Sequence, residues 1–350
     1  MVVFACERCG AVLTTQVSRV ALPDHADQTY SHELLPAFLE PGTYAVNPEP
    51  SGPPWRLWDE VGTEEVEARG IYAPVYSLSY GPAGKIGIAP GDVRGTVLIP
   101  ERCDGYCYGV DGRDGPNLAC AECGRAVATR IDDCSLWQVV WLAPHAVRPV
   151  SVDGPADRVI AWEALREQYP DLPPVEQRGW WSPQWEATVA VALAHLLSLS
   201  GGMRVVVPDG PVATVFRRAL DALLPPGPPE RHLTLAGPSL PAVATDIALV
   251  PRHPQTGETW PCNAKAVVPL AANAWLHMAF HDDRRLTPAT AGMLEEVRRD
   301  DPPPLLPAMP FRPDLDVFLA TLARLPATRE PWLRQIYDHV KAHRYDFPYF

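Results

Sequence analysis

The sequence predicts an α+β protein: a β-rich zinc-binding lobe over residues 1–150, followed by an α/β lobe over residues 151–350. Three observations carry that reading. Two Cys-x-x-Cys-Gly knuckles, Cys6-Glu7-Arg8-Cys9-Gly10 and Cys120-Ala121-Glu122-Cys123-Gly124, both fall in the first lobe. Short β-prone runs, broken by Pro, Gly and Asp clusters, surround them. From Pro183 onward the pattern changes to amphipathic helices alternating with short apolar runs.

In the first lobe, Ala11–Val17 reads as a strand directly after the first knuckle. Val93–Ile99, Ala126–Arg130 and Leu136–Leu142 are further strands, and Ser31–Leu39 a short helix. Turn-forming clusters at Pro48–Pro54, Gly81–Gly84 and Asp111–Pro116 separate them. A helix over Arg158–Tyr169 is stopped by Pro170, Pro173 and Pro174.

The second lobe opens on a helix over Pro183–Leu199, with Ser182 as N-cap, Pro183 in the first turn and Gly201-Gly202 as the stop. Met203–Val207 reads as a short buried strand. Val212, Val215, Phe216, Ala219, Leu220 and Leu223 then form one apolar helical stripe, with Asp209 placed to cap it. Leu233–Leu235 and Asp246–Val250 are strands, and Ala264–Leu270 can pair with the latter across the turn at Gln255-Thr256-Gly257. Helices follow at Ala271–Phe280, Pro288–Arg299, Asp314–Arg324 and Pro331–His343.

Composition bounds the function. A chain of 350 residues with 47% hydrophobic and 21% charged residues fits packed globular domains. The net charge of −12 argues against nucleic acid, whose binding needs a basic surface to displace counterions. Of 30 basic residues only Lys85, Lys265 and Lys341 are lysine, and there are 41 prolines, a bias expected of a GC-rich bacterial genome. The longest apolar stretch, Ala187–Leu199, is shorter than the roughly 20 residues a helix needs to cross a bilayer, so no membrane role is expected. Met1–Ala5 runs into the first knuckle without a basic start or a long apolar run, which suggests a cytoplasmic protein. In that compartment the eight cysteines favour metal binding or free thiols over disulfides.

The expected cofactor is a structural zinc ion held by Cys6, Cys9, Cys120 and Cys123. Zinc takes four ligands and each knuckle offers two thiolates, while a glycine lets the chain turn tightly behind them. The 110 residues between Cys9 and Cys120 do not prevent this, because closure entropy grows only logarithmically with loop length. Arg8 and Arg125 can offset the charge of four thiolates. Two alternatives stay open. Cys103 and Cys107 can join Cys120 and Cys123 in a local site, or a second ion can use Cys103, Cys107, Cys134 and a histidine such as His145. Individually, Cys103, Cys107, Cys134 and Cys262 read as small buried hydrophobes.

The paired knuckles resemble those of zinc ribbons. Their wide separation also resembles zinc-anchored β-tent domains, a group that includes B-type methionine sulfoxide reductases and the cereblon ligand-binding domain. The resemblance covers residues 1–150 at most and rests on four cysteines. The reductases imply a catalytic cysteine, which Cys134 does not match in context. The cereblon-like domains imply an aromatic cage, and Trp137 with Trp141 is the pair to weigh against simple core packing. The chain as a whole also looks like a bacterial family, which implies no particular activity.

Outside the knuckles, His277 with His281 and His339 with His343 have helical i, i+4 spacing suited to one metal ion, with Asp282 and Asp283 as added ligands for the first pair. Solvated or capping histidines are the plainer reading. Trp180, Trp181 and Trp185 form an aromatic group that reads as a hydrophobic anchor or a cage. Met203–Gly210 before a helix offers a weak phosphate turn, with Pro211 removing one amide donor. The expectation is therefore a zinc-stabilised binding or interaction protein with a protein or small-molecule partner. The alternative is a hydrolase-like enzyme that uses His195, His277, His281 and Asp282 in the α/β lobe or where the lobes join.

Overall fold

The computed structural model describes residues 1–30, 32–152, 158–176, 179–281, 307, 309–344 and 349–350. The chain is α+β, with its β-rich, cysteine-bearing part at the N-terminus. It divides into two compact units. The first comprises Met1–Glu65, Val75–Val159 and Gln255–Gly257, and the second Val66–Pro74, Ile160–Pro254 and Glu258–Phe350.

In chain order the first half contains β1 (Val2–Cys6), β2 (Ser18–Arg19), β3 (Thr43–Asn47), β4 (Trp55–Leu57), α1 (Thr63–Ala68) and β5 (Ser77–Ser79). It continues through β6 (Lys85–Ile88), β7 (Thr96–Leu98), β8 (Leu118–Cys120), β9 (Ala126–Ile131), β10 (Val139–Leu142) and β11 (Val147–Ser151). A seven-stranded sheet runs in the order β2-β3-β6-β10-β9-β8-β7. Strand β1 pairs antiparallel with β11, so that Val2 faces Ser151 and Cys6 faces Val147. Strands β4 and β5 make a separate two-stranded ribbon.

The period-two alternation of a strand divides the side chains between two cores. Val140 and Leu142 of β10 join Ile86 and Ile88 of β6, together with Phe4, Leu13 and Val127. Their neighbour Val139 faces the other way, onto Ala45, Leu35, Phe38 and Trp137. Trp141 packs on that second core and lies against Gly87, where an added Cβ would approach its ring to 2.9 Å. Trp137 and Trp141 are thus core residues rather than a cage. The Nε1–H of Trp137 donates to Gln28 Oε1 at 3.1 Å, and the His25 ring packs tilted against it, 4.1 Å between centroids.

Several expected elements change here. Ala11–Val17 is no regular strand, because its bonds go to two places. Leu13 and Val17 donate to Phe4 and Val2 of β1, whereas Thr15 donates to the Asp92 carbonyl. Ser31–Leu39 forms no helix over its described residues 32–39. Pro36 opposes one, and Phe38 donates instead to the Gln138 carbonyl. Val93–Ile99 shortens to β7 and Leu136–Leu142 to β10.

The second half contains α2 (Leu165–Gln168), α3 (Pro183–Ser200), β12 (Arg204–Val206), α4 (Pro211–Leu223), β13 (Glu230–Leu235) and β14 (Ile247–Arg252). Then come β15 (Ala266–Ala271), α5 (Ala272–Phe280), α6 (Leu315–Arg324) and α7 (Pro331–Ala342). The sheet is parallel throughout, in the order β12-β13-β14-β15. Parallel strands are buried on both faces, and Ile247–Pro251 of β14 is buried at every position. Helix α3 is apolar nearly all round, as a helix enclosed by neighbours must be. Among the described residues no helix is long and apolar enough to cross a membrane.

Here too some expectations shift. Ala264–Leu270 does pair with β14, but in parallel, with Ile247 opposite Ala266; the Gln255-Thr256-Gly257 turn instead closes a short antiparallel bridge of Arg252 with Thr259. Gly210 rather than Asp209 is the N-cap of α4, and Asp209 accepts instead from Arg217 at 2.6 Å. Arg158–Tyr169 is helical only at α2, after a 3-10 turn at Trp162–Ala164. Its start is pinned by the Ile160 carbonyl, which accepts from His253 Nε2 at 2.9 Å. Pro288–Arg299, Asp282 and Asp283 lie outside the described residues.

Candidate metal centres

Both knuckles begin on the last residue of a strand, Cys6 of β1 and Cys120 of β8. They then fold identically. Cys6 N donates to Ala11 O and Gly10 N to Cys6 O, just as Cys120 N donates to Arg125 O and Gly124 N to Cys120 O. Gly10 and Gly124 have φ of +77° and +71°, a region that L side chains seldom occupy. The chemistry of Cys-x-x-Cys-Gly is therefore local. What brings the two copies together is the packing of their strands into one core, which contains Cys6 and Cys120 themselves.

Cys6 Sγ lies 3.7 Å from Cys123 Sγ, and Cys9 Sγ lies 3.6 Å from Cys120 Sγ. All four sulfurs fall within 4.8 Å of one another. A tetrahedral ion with metal–sulfur bonds of about 2.3 Å would separate its sulfurs by about 3.8 Å. The cluster can thus hold a metal ion with little movement. Burial disfavours the Cys6 thiolate, but the amides of Cys9 and Arg8 donate to its sulfur and outweigh that, so its thiol falls to about 7. The Ala11 amide favours the Cys9 thiolate, yet burial and the three neighbouring sulfurs prevail and raise it to about 12. Four thiols this close cannot all ionise without a cation. Arg125 donates to the His145 carbonyl at 2.7 Å.

A second cluster joins His32, Cys107 and Cys134. His32 Nδ1 lies 3.5 Å from Cys134 Sγ and 3.9 Å from Cys107 Sγ. Three loops present these groups. Asp133, 2% exposed, accepts from Cys134 N at 2.7 Å through Oδ1 and from Tyr108 N at 3.2 Å through Oδ2. Ser135 ties the third loop in, donating to Glu33 O and accepting from Tyr30 N. Cys107 and Ser135 have φ of +49° and +70°. The Cys134 thiol raises that of Cys107 above its ordinary value, with burial adding to it. Cys134 is not a buried hydrophobe, and Cys103 turns away to the Ile99 carbonyl. His32, not His145, is the histidine beside these thiols. No local spacing announces it, because 75 positions separate it from Cys107.

A third cluster joins Asp171, His277 and His281 in the second unit. Asp171 Oδ2 accepts from His277 Nδ1 at 3.1 Å and lies 3.7 Å from His281 Nδ1. The two rings stack at 4.2 Å, with His277 in the last turn of α5 and His281 at its C-cap. Burial lowers the pKa of His277, and Asp171 opposes it. Nε2 of His281 is buried without a hydrogen-bond partner. The carboxylate comes from the proline-rich run before α3, a place the sequence does not mark.

The other candidates stay separate. His195 joins no metal cluster among the described residues. His343 Nδ1 donates to the His339 carbonyl at 2.8 Å, an end-of-helix contact. Trp181 and Trp185 donate to the carbonyls of Met309 and Leu172, each at 2.9 Å, while Trp180 is exposed. They anchor α3 within its own unit. No protein-family model, curated protein or solved structure matches this chain.

Proposed function

We propose that the chain is a zinc-stabilised binding protein. The observation that carries this is the closed four-sulfur cluster. With Cys6, Cys9, Cys120 and Cys123 all coordinating, a tetrahedral ion keeps no position for water, so its task is to join β1 to β8 rather than to react. Thiolate donors favour zinc, and the resemblance to zinc ribbons and β-tent domains supports the same metal. The eight free cysteines support a reducing, cytoplasmic setting.

The surface best suited to a partner is β7, the edge strand beside β8. Val97 and Leu98 are 52% and 48% exposed there. The Val97–Ala119 pairing lies between bonds from Ala121 N to Gly95 O and from Ile99 N to Asn117 O, so the backbone of Thr96 and Leu98 faces the open edge. An extended protein segment can add to such an edge. A net charge of −12 disfavours nucleic acid as the partner.

Elemental analysis of the purified chain, with panning against a displayed random-peptide library, tests both halves. Zinc is expected, retained by the native chain and lost from Cys120→Ser. The peptides captured should be apolar and β-branched, and Leu98→Pro, which removes an outward-facing amide and leaves the β7–β8 ladder intact, should abolish capture without loss of zinc. Absence of a cysteine-bound ion, or capture indifferent to Leu98→Pro, refutes the reading.

The Asp171–His277–His281 cluster favours a second reading, a hydrolase-like activity in the second unit, because two imidazoles and a carboxylate are a donor set for a reactive metal. His277→Ala with His281→Ala should then abolish phosphoester or peptide hydrolysis. Metal analysis that finds only cysteine-bound ions would end that alternative.

A further inference from the structure

The first unit holds two sulfur clusters of opposite character. In the four-cysteine cluster Cys6 and Cys120 are fully buried. In the other, His32 and Cys107 are both exposed. The second cluster also has only three donors among the described residues. Asp133, the residue before Cys134, already accepts two backbone amides, from Cys134 and Tyr108. Those bonds, with the two that tie Ser135 to Tyr30 and Glu33, fix all three donor loops around one point. Left-handed backbone at Cys107 and Ser135 is a conformational cost that a simple surface turn would avoid with glycine.

We propose that His32, Cys107 and Cys134 bind a second ion of the zinc class and leave its fourth position open to an exogenous donor, either water or an anion. One imidazole and two thiolates suit zinc in number and softness. Three protein ligands plus one exchangeable position distinguish a reactive or ligand-binding site from a closed one. Water on such an ion ionises near neutral pH, and a thiolate or carboxylate of a small molecule can displace it. This site shares no residue with the four-cysteine centre.

The test uses the full chain carrying His277→Ala and His281→Ala, which removes the third cluster, purified under reductant and loaded with cobalt(II), with azide as the probe ligand. This parent should hold about two ions per chain, and both Cys107→Ser/Cys134→Ser and the milder, exposed His32→Ala in it about one. Azide should alter the visible cobalt bands of the parent but not those of the variants. A parent with a single ion that the His32→Ala variant retains overturns the proposal, as does a second ion whose bands ignore azide. A Cys107–Cys134 disulfide that persists under reductant would also overturn it.

Discussion

Glu186, in the first turn of α3, holds its proton unusually tightly. Burial raises its carboxyl first, and the like charges of Asp314 and Glu176 add to that, taking it from 4.5 to about 8. A pKa raised on folding means that the native state binds the extra proton. The contribution of this group is therefore fully present below pH 4.5, and is lost as pH rises through about 8. Glu186→Gln mimics the protonated form. It should leave stability nearly unchanged at pH 5 and raise it by roughly 2 kcal/mol at pH 8.5, after allowance for partial exposure. Denaturant melts at the two pH values check this; an equal effect at both would refute it. The four knuckle cysteines were legible in the sequence because their spacing is local. His32 and Asp171 were not, since they reach their partners across 75 and 106 positions.

Among the elements, α6 begins at Asp314, whose Oδ1 accepts from Val317 N at 2.9 Å. Asp314→Ala should cost about 1 kcal/mol, measured at pH 5 so that relief of Glu186 does not mask it. Gly237 lies where an added Cβ would overlap the fully buried ring of Trp275, whose Nε1–H donates to the Leu249 carbonyl. Gly237→Ala should therefore destabilise by about 1–3 kcal/mol, and an unchanged melting temperature would contradict that packing. Helices α3 and α4 were readable from periodicity and proline, because a helix bonds within itself. The strands were harder. Glycine inside β6 weakened its pattern, yet Gly87 is what admits Trp141. The segment before β15 suggested a hairpin, but strand direction is set by partners outside the run.

At the scale of the whole molecule, the α+β class and the N-terminal position of the β-rich part follow from knuckles and periodicity. Which strands meet does not, because most of the first unit's pairing joins residues far apart in sequence. Removal of metal by a strong chelator should melt the first unit while the helical circular dichroism of the second persists. A single transition shared by both, or no change, would contradict that expectation. The pairing of β1 with β11 carries a consequence for biogenesis. A ribosome adding roughly 5–20 residues per second leaves β1 waiting about 7–30 s for its mate. Until then its cysteines are nascent-chain thiols, open to oxidants and to holdase chaperones. Metal supply would thus govern yield from the moment the second knuckle clears the exit tunnel.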